Sequence, residues 1–411
     1  MTPTATSRPP TAVAELPATA DLLVIGGGVV GLTAAITLKQ RLPDQRVVVL
    51  EKEPACGLHA SGRNSGVLHA GFYYTADSLK ARLCRDGSER MGAWCEERGL
   101  EVRRCGKLVV ARRAEDLPVF DTLLERAHAN GVVLKRISAQ DAAEIEPRAI
   151  TVEQALFAPA TASVDPAAVM VALAQEARSL GVVVCDGVRW LGRTGDTVHT
   201  SAGDLAAGFV LNAAGLYADR VAGAYGFGER YRILPFRGLY LLGEASAGPM
   251  RCHVYPVPDL GMPFLGVHTT LSVHGTIKLG PTALPALWRE NYGGLSGFAA
   301  DELAEVVSAE ARLFFTDATF RSLAWRELRK AVRSYLVRES AQLVTGLRVG
   351  DFRRWGRPGI RAQLLERATG RLEQDFVVEG DARSLHVLNA VSPAFSASWP
   401  FAEMLADRIV G

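Results

Sequence analysis

Three glycines near the start of the chain have the spacing Gly26-x-Gly28-x-x-Gly31. In this spacing the first glycine permits a tight turn, the second lets the backbone approach a pyrophosphate, and the third lets a helix pack against a strand. Glu51 lies 20 residues after the last glycine, where a carboxylate accepts hydrogen bonds from ribose hydroxyls and disfavours the extra phosphate of NADP. These residues predict a dinucleotide site.

The segments around the glycines have the pattern that such a site needs. Residues 21–25 form a short apolar run after Asp21, residues 29–41 have helical spacing that stops at Pro43, and residues 46–51 are rich in β-branched side chains. A strand, a helix and a strand in this order predict parallel strands joined by a right-handed crossover. The glycine turn then lies at the carboxyl end of the first strand, where α/β sheets bind ligands.

The composition is that of an ordinary globular protein. A chain of 411 residues exceeds the size at which one hydrophobic core stops growing, so we expect two domains. The formal net charge of +2 gives no electrostatic reason to expect a nucleic-acid partner. No apolar run approaches the roughly 20 residues of a membrane-spanning helix, and peripheral contact with a membrane stays open.

Six cysteines, none in a Cys-x-x-Cys pair, indicate neither a metal site nor a disulfide framework. We therefore expect no bound metal and a reducing, cytoplasmic location. Residues 1–20 are rich in Thr, Ala and Pro and lack the apolar stretch of a signal peptide, so they predict a flexible N-terminal tail.

A second segment, residues 59–74, combines small residues, which let a chain run close against a flat ring, with polar groups able to bond the edges of that ring. Here the sequence resembles the D-amino-acid-oxidase-like FAD-dependent oxidoreductase superfamily, and most closely the L-2-hydroxyglutarate oxidase and dehydrogenase family. The resemblance continues through Ser78-Leu79-Lys80-Ala81 and covers nearly the whole chain from Asp21. Its further motifs lie at 83–84, 105–108, 211–219, 235–238, 254–258, 263–268, 280–281, 360–363, 375–376 and 386–390.

Two departures from the family pattern bear on the substrate more than on the cofactor. Thr282 stands where the family usually has Asn. Residues 392–400 carry Phe395, Trp399 and Pro400 where smaller residues are usual near the flavin.

The resemblance implies FAD as cofactor and an α/β fold with interleaved domains. We expect a Rossmann-type FAD-binding domain formed by residues 21–94, 153–228 and 347–411. An α+β substrate domain with a mixed, largely antiparallel sheet should contain residues 95–152 and 229–346.

Local patterns predict several elements outside the first unit. We expect a helix over residues 78–98, antiparallel strands over 230–280, mostly helical structure over 285–346, and a terminal helix that begins near Ser392. If the resemblance holds, that helix start points at the flavin pyrimidine and stabilises negative charge on the reduced ring.

The fingerprint and the resemblance together predict the residues that contact FAD. They are Gly26, Gly28, Gly31, Glu51, Lys52, Ser61, Arg63, Asn64, Ser65, Gly66, Ala214, Gly215, Ser392, Pro393 and Ala394.

The resemblance also implies a reaction in which a small 2-hydroxy acid similar to L-2-hydroxyglutarate gives hydride from C2 to flavin N5 and becomes the 2-oxo acid. Such a site needs a base and cations. His69 is the first candidate base, with a purely cofactor-lining histidine bonded to loop backbone as the alternative interpretation. His268 is the second candidate, with a structural role as its alternative.

Arginine suits a carboxylate because its planar fork bonds both oxygens. Arg237 and Arg361 lie in family-matching segments and are the candidates for this role, although most arginines are solvated surface charges. Tyr73, Tyr255 and Gln363 are predicted to orient the substrate, although aromatic residues on strands more often belong to the core.

Other functions stay open on the sequence alone. The same fold hosts oxidation of amines, amino acids and other hydroxy acids, and a flavin-binding protein without turnover is a further alternative. We expect an anionic small-molecule substrate and either oxygen or a quinone as electron acceptor. The sequence indicates neither the oligomeric state nor whether the flavin is covalently bound.

Overall fold

The computed structural model describes residues 15–260 and 266–411, and these form two large sheets and two smaller ones with flanking helices. Residues 263–265 of the motif at 263–268 lie outside the described part. In chain order the strands are β1 (Thr19–Ile25), β2 (Val47–Glu51), β3 (Val67–Leu68), β4 (Lys107–Val110), β5 (Lys135–Ser138), β6 (Gln154–Ala158), β7 (Ala162–Ser163), β8 (Val183–Asp186), β9 (Trp190–Thr194), β10 (Thr197–Thr200), β11 (Gly203–Asn212), β12 (Tyr231–Gly238), β13 (Leu241–Leu242), β14 (His253–Pro256), β15 (His268–Leu271), β16 (Ile277–Gly280), β17 (Leu284–Pro285), β18 (Arg354–Trp355), β19 (Gly359–Glu366), β20 (Val378–Gly380) and β21 (Ser384–Val387). The α-helices are α1 (Val29–Arg41), α2 (Leu79–Glu97), α3 (Pro118–Ala129), α4 (Ala139–Ile145), α5 (Pro166–Ser179), α6 (Ala218–Ala224), α7 (Ala300–Thr316), α8 (Ala318–Arg329), α9 (Arg333–Ser340) and α10 (Ser398–Val410).

The first large sheet has a parallel centre. Its strand order is β20-β21-β11-β1-β2-β8, and β10 and β9 extend it from β11. β1 is parallel to β2 and β11, and β2 is parallel to β8. All of β2 is buried, which is typical of a parallel strand covered on both faces. The predicted α/β class with a Rossmann-type sheet is confirmed.

Helix α1 begins directly after the glycine bend and lies inside the protein. Its residues Val29 to Leu38 are all buried, and it packs against α5 and α10. A helix that is apolar on every side must be covered on every side. This packing fixes the direction in which the N-terminus of α1 points.

The first strand begins earlier than predicted. Thr19 pairs with Ala206 of β11, and the amide of Ala206 donates to the carbonyl of Ala18 at 3.0 Å. The ladder therefore orders residues that we assigned to the tail over 1–20, because backbone pairing does not require apolar side chains. Residues 1–14 of that tail lie outside the described part.

The second large sheet has the order β18-β13-β16-β15-β14-β4-β6-β5. In this sheet β14 and β4 run parallel, and every other pair of adjacent strands is antiparallel. A smaller sheet places β12 between β17 and β19, both antiparallel to it. The mixed, largely antiparallel character predicted for the substrate domain is confirmed.

Several strand pairs cross two of the expected domain boundaries, which stay predictions. Boundaries at residues 153 and 347 would place β6, β18 and β19 in the FAD-binding domain. Instead β6 pairs with β4 and β5, β18 pairs with β13, and β19 pairs with β12 along its length. The local pattern of a strand does not indicate which strand it will pair with.

The helices follow their predicted segments, with one correction at the end of the chain. α2 occupies most of 78–98, and α7, α8 and α9 occupy much of 285–346. The terminal helix α10 begins at Ser398 rather than near Ser392, and residues 392–397 form turns. A helix from Ser392 would carry Pro400 in its interior, whereas a helix from Ser398 carries it in the first turn, where its missing N–H costs little.

Two glycines of α2 allow a matched stability test. A Cβ at Gly87 would lie 2.5 Å from the carbonyl oxygen of Ser396 and 2.7 Å from the Cα of Ala397, so α2 packs directly against the turns that precede α10. We expect Gly87→Ala to lower the free energy of unfolding by about 1–3 kcal/mol, measured by denaturant titration of the holoenzyme.

The control is Gly92→Ala in the same helix, where a Cβ makes ordinary contacts with the side chains of Arg104 at 3.4 Å and Leu68 at 3.8 Å. Alanine should raise the free energy of unfolding there by up to about 1 kcal/mol through helix propensity. Equal effects of the two variants would show that α2 does not require this close approach.

Candidate active site

A cavity of about 1160 Å³ extends from the glycine bend to residues of β15 and β19. Ordinary small-molecule sites measure about 300–1000 Å³, so this one has room for more than a compact ligand. Its wall includes residues from both large sheets and from the smaller sheet around β12.

The glycine bend has no space for side chains. Gly26 has φ 111°, and a Cβ there would lie 2.4 Å from the carbonyl oxygen of Ala213. A Cβ at Gly31 would lie 1.9 Å from the carbonyl oxygen of Gly26. Gly28 lines the cavity, and the nearest atom to a Cβ there is Ser61 Oγ at 3.1 Å.

The start of α1 therefore faces the cavity with backbone alone. The first turn of α1 carries no acidic residue, and the amide of Val29 donates to Ser61 Oγ at 2.9 Å. Free amides and the positive end of the helix dipole bind phosphate groups. The bend has the geometry predicted for pyrophosphate binding.

Glu51 is held at the same bend. Its carboxylate accepts from the amide of Gly27 at 3.0 Å and from the amide of Glu53 at 2.9 Å, and the residue lines the cavity. Burial raises the pKa of Glu51 although these two hydrogen bonds oppose the shift. Its position beside the bend fits the expected contact with a ribose.

A charged cluster lies next to Glu51. Lys52 forms ion pairs with Glu53 and, at 2.7 Å, with Glu290, while His59 Nε2 lies 2.9 Å from Glu53. The ligand atoms of Glu53, His59 and Glu290 are close enough to hold a metal ion. The Lys52 ammonium lies between the two carboxylates and pairs with both.

Most of the predicted FAD-contact residues line this cavity, including Lys52, Arg63, Ser65 and Gly215. Gly31 and Gly66 do not line it. A Cβ at Gly66, where φ is 81°, would lie 2.2 Å from the carbonyl oxygen of Val164, so this glycine serves close packing, as Gly31 does. The others on the wall are Gly26, Gly28, Glu51, Ser61, Asn64, Ala214, Ser392, Pro393 and Ala394.

The structure brings four predicted catalytic or substrate-binding residues to the cavity wall: His69, Tyr73, His268 and Arg361. The amide of His69 donates to Ser396 Oγ at 3.0 Å. The imidazole of His69 has no hydrogen-bond partner within residues 15–260 and 266–411, so the alternative interpretation of a ring bonded to loop backbone is not what the described structure shows.

Three other predicted residues, Arg237, Tyr255 and Gln363, are not among the residues that line the cavity. Phe236 and Gly238 line the cavity, and the side chain between them points to the opposite face of β12.

The two remaining side chains have roles inside the protein. Tyr255 stacks on His268 with the ring centroids 3.8 Å apart, and it therefore supports that imidazole from behind. The Gln363 amide donates to the carbonyl of Glu373 at 2.7 Å, so it ties two backbone segments together.

The electrostatics of the site favour a neutral His69. Burial holds the pKa of His69 well below its usual value, and the positive charges of Lys107, His268 and Arg361 lower that pKa further. A neutral imidazole at pH 7 can accept a proton. The arrangement can therefore perform general base chemistry next to cations.

Lys80 is a cavity residue that sequence reasoning did not single out. It is buried, and burial together with Arg361 lowers the pKa of Lys80 to about 7. Its Nζ lies 5.6 Å from the ring centroid of Tyr74. Asp375 accepts from the amides of Leu79 and Lys80 at 2.7 and 3.0 Å and so fixes the start of α2.

The last turn of helix α8 and the residue after it, Lys330, also contribute side chains that no motif indicated. Glu327 and Lys330 form an ion pair on the cavity wall, and Glu327 accepts from the amide of Ala283 at 2.8 Å. The motif at 78–81 offered a signal for Lys80, whereas α8 has only amphipathic spacing. In the sequence, Glu327 and Lys330 look like the charged residues of any solvent-exposed helix face.

The two departures from the family pattern differ in position. Thr282 and Phe395 line the cavity, and the Thr282 hydroxyl donates to the carbonyl of Arg237 at 3.2 Å. Trp399 is not a lining residue and its ring lies 5.8 Å from that of Trp94. Only the first two residues are placed to influence a ligand.

Comparison with known proteins agrees with this geometry. Residues 21–408 match the family described as FAD dependent oxidoreductase. The chain belongs to this family. Its cofactor is FAD, and the glycine bend, Glu51 and the size of the cavity fit that group.

Curated relatives extend the comparison over the whole chain. The chain is 35% identical over 417 residues to human mitochondrial L-2-hydroxyglutarate dehydrogenase, covering 95% of this chain and 88% of the relative. It is 32% identical over 395 residues to L-2-hydroxyglutarate dehydrogenase of Escherichia coli K12, covering 95% and 93%. The resemblance stated from the sequence is confirmed.

Solved structures confirm the fold. L-alpha-glycerophosphate oxidase from Mycoplasma pneumoniae with FAD bound has a TM-score of 0.73 at 21% identity, covering 95% of this chain and 94% of that one. Glycine oxidase from Geobacillus kaustophilus has a TM-score of 0.71 at 18% identity, covering 96% of both chains. In the described residues, every helix is too short or too polar to span a bilayer.

The bend yields a direct cofactor-binding test. Gly28→Val should give folded but colourless protein, because the added methyl groups occupy the backbone's approach to the pyrophosphate. The ratio of visible flavin absorbance to protein measures the effect. Gly293→Val is the control, since a Cβ at Gly293 meets nothing within 4 Å, and it should keep full flavin content. Full flavin content in Gly28→Val would remove the bend from cofactor binding.

Proposed function

We propose that this oxidoreductase converts L-2-hydroxyglutarate, or a closely similar anionic 2-hydroxy acid, to the 2-oxo acid. The observation that carries the proposal is the neutral imidazole of His69 on the same cavity wall as the desolvated cations Lys80 and Arg361. The names of the curated relatives point to the same substrate.

Bound FAD supplies the hydride acceptor, so the protein must orient C2 of the substrate, take the hydroxyl proton and balance carboxylate charge. We assign the proton transfer to Nδ1 or Nε2 of His69. His268 lines the same cavity and stacks on Tyr255, and its charge lowers the pKa of His69. Both residues therefore act on the same proton, His69 directly and His268 through the local field.

The carboxylate role falls to Arg361 and Lys80. Burial lowers the pKa of both groups, which means that each lacks the solvation that would stabilise its charge. An anionic substrate restores that stabilisation. A dicarboxylate offers one carboxylate for each cation, and we assign its orientation to Tyr73, which lines the same cavity.

Oxidation of an amino acid is the second candidate, because the fold also occurs in glycine oxidase. Thr282 and Phe395 on the cavity wall are departures that keep it under consideration. The clustered cations favour a dianion over an uncharged amine, but they do not distinguish a hydroxy acid from an amino acid of the same shape.

We also propose the partners that the reaction needs. The electron acceptor is oxygen or a quinone, and a quinone would require contact with a membrane surface. All six cysteines lie in the described residues as free thiols, which supports a reducing, cytoplasmic setting.

L-2-Hydroxyglutarate and L-glutamate separate the candidates, because they differ only in the hydroxyl or ammonium group at C2. With an artificial soluble acceptor we expect turnover of L-2-hydroxyglutarate to 2-oxoglutarate and none of L-glutamate, glycine or the D-hydroxy acid. Turnover of an amino acid with an inert hydroxy acid would contradict the proposal. No turnover of any compound in the panel would favour a flavin-binding protein without catalysis.

The base assignment predicts a specific loss of turnover. His69→Ala should keep its flavin and lower kcat on the order of 10² to 10⁴. The matched control is His199→Ala, whose imidazole pairs with Asp204 away from the cavity lining and should leave kcat unchanged. A kcat of His69→Ala equal to that of wild type would assign the base elsewhere.

The depressed pKa of His69 sets the sign of the pH dependence. A base works when unprotonated, so activity is present above the pKa and is lost as the pH falls through it. We expect the acid limb of kcat/KM to lie below about pH 6.5, the ordinary histidine value. We also expect kcat/KM to decline as the pH rises through about 7, because Lys80 then loses the charge that binds a carboxylate. An acid limb centred above pH 7 would contradict a desolvated imidazole base.

The assignment of Arg361 to carboxylate binding predicts a loss of kcat/KM that depends on the shape of the side chain as well as on its charge. Arg361→Met should lower kcat/KM about 10- to 100-fold, because a charge-assisted hydrogen bond is lost. Arg361→Lys should recover part of the loss, since lysine keeps the charge without the planar fork. The exposed Arg353→Met serves as control. An unchanged kcat/KM in Arg361→Met would remove Arg361 from the site.

A further inference from the structure

Lys107 is a charged residue deep inside the protein. Its side chain is fully buried, and its Nζ has no hydrogen-bond partner among the residues that the structure describes. No Asp or Glu of those residues lies within ion-pair distance of it. An ammonium group that leaves water without a hydrogen bond or a counter-ion loses its solvation at a large cost in stability.

Three aromatic rings surround this ammonium group instead. The Nζ of Lys107 lies 4.6 Å from the ring centroids of Phe72 and Tyr73, and 4.9 Å from the ring centroid of Tyr255. We call these three rings the Lys107 cage. The face of an aromatic ring attracts a cation, most strongly away from water, so the cage offsets part of the cost of burial. Burial nevertheless lowers the pKa of Lys107 from 10.5 to about 7.

The packing at this position does not require a charge. Lys107 begins β4, which lies between β14 and β6, and the next residues, Leu108 and Val109, are buried and apolar. An unbranched apolar side chain such as methionine would fill the same space without removing a charge from water. A lysine at this position therefore indicates that its charge acts on a neighbour.

The Lys107 cage connects this charge to both candidate histidines. Two of its rings follow His69 by three and four residues in the chain, and the third stacks on His268 with the ring centroids 3.8 Å apart. After burial, the charge of Lys107 is the largest influence on the pKa of His69, and it lowers that pKa.

The other groups that act on the pKa of His69 differ from Lys107 in position or charge. They are His268, His253 and Arg361. Burial lowers the pKa of His253 to about 3, so this imidazole is neutral at working pH. His268 and Arg361 line the cavity, where an anionic substrate would cancel much of their field. Lys107 does not line the cavity, and the cage separates it from any ligand there.

Helix α2 adds two more ionisable groups to this region. The Sγ of Cys84 donates to the carbonyl of His69 at 2.8 Å, and burial raises the pKa of Cys84 to about 12, so the thiol stays neutral. Lys80 lines the cavity, as Arg361 does. Of the cations named here, Lys107 is thus the one whose field persists when a substrate carboxylate is bound.

We propose that Lys107 is a positioning residue whose caged charge keeps His69 unprotonated while an anionic substrate occupies the cavity. The inference rests on the proposed function, in which His69 is the base. Carboxylates beside His69 would otherwise favour the imidazolium ion, which cannot accept a proton. Lys107 gains its own charge as the pH falls through about 7, so the charge is present over the range in which His69 would be protonated.

The substitution Lys107→Met removes the charge and keeps the length of the side chain. The acid limb of kcat, which reports the enzyme–substrate complex, should move about one pH unit higher, because the imidazole loses a neighbouring positive charge. Lys135→Met is the matched control. It makes the same change at an exposed position on β5 of the same sheet and should leave the acid limb in place.

Thermal stability gives a second readout. Lys107→Met should raise the Tm of the holoenzyme, because the native state no longer contains a desolvated ammonium group. Between pH 7 and 10.5 the lysine is protonated in the unfolded chain but not in the native state, so the gain in Tm should be larger at pH 6 than at pH 9. Val109→Ala, which removes buried volume from the same strand, should lower the Tm and leave the acid limb unchanged.

NMR titration of the histidine side chains of the holoenzyme follows His69 without any turnover. The signal of His69 is the one that is missing in His69→Ala. We expect a pKa below the ordinary value of about 6.5 in the wild type and a pKa about one pH unit higher in Lys107→Met.

Each outcome decides the inference. A rise of both the His69 pKa and the acid limb of kcat in Lys107→Met, with the acid limb of both controls unchanged, supports it. An unchanged His69 pKa in Lys107→Met, or a variant that does not fold, would give Lys107 a packing role and overturns it. A wild-type His69 pKa near 6.5 also overturns it. A His69 pKa that rises while the acid limb stays in place supports the action of Lys107 on His69 and contradicts the base assignment instead.

Discussion

The contact of backbone with backbone at the first bend governs the placement of the cofactor site. Gly31 approaches the carbonyl of Gly26 so closely that a Cβ would lie 1.9 Å from its oxygen, and Gly26 approaches Ala213 in the same way. Strand β1, the start of α1 and the end of β11 therefore meet without intervening side chains. Close-packed interiors resist even small increases in volume, so this junction fixes the direction of the α1 N-terminus. The cavity forms in front of it, and Glu51 is hydrogen-bonded to the bend itself.

A second constraint acts around His69, where charge is kept away from water. Burying an ionisable group disfavours its charged form, and this lowers the pKa of His69, Lys80 and Arg361 together. The same burial that keeps the imidazole of His69 unprotonated also removes water from around Lys80 and Arg361. The protonation state of His69 and the charge of the two cations that would bind the substrate thus depend on the same buried environment. The fold achieves this by bringing β15 and β19 to a cavity that begins at β1.

Much of this arrangement could be predicted from the sequence. The glycine spacing and the apolar strands determine their own local structure, so β1, α1 and β2 were predictable with Glu51 at the correct end. The start of α10 was not, because the effect of Pro400 depends on which turn of the helix contains it. The local sequence pattern of a strand also does not indicate its partner. Strands β6 and β19, which we assigned to the FAD-binding domain, therefore pair with strands that we assigned to the substrate domain.

Some residues of the candidate site could be predicted from the sequence, and others could not. His69 and Arg361 could be chosen by residue type and motif, but Arg237 has the same type and motif support and is not a lining residue. Only the register of β12 shows which side chains face the ligand. Lys80 and Glu327 acquire their importance from burial, which a single sequence does not display.

A crystal structure of the purified holoenzyme tests the central claim most directly. The account predicts FAD density with the diphosphate against the backbone of Gly28 and Val29, the adenosine ribose within hydrogen-bond distance of Glu51, and the flavin ring beside His69. Density that places the diphosphate away from the bend, or the flavin ring out of contact with the wall formed by His69 and Arg361, would contradict it.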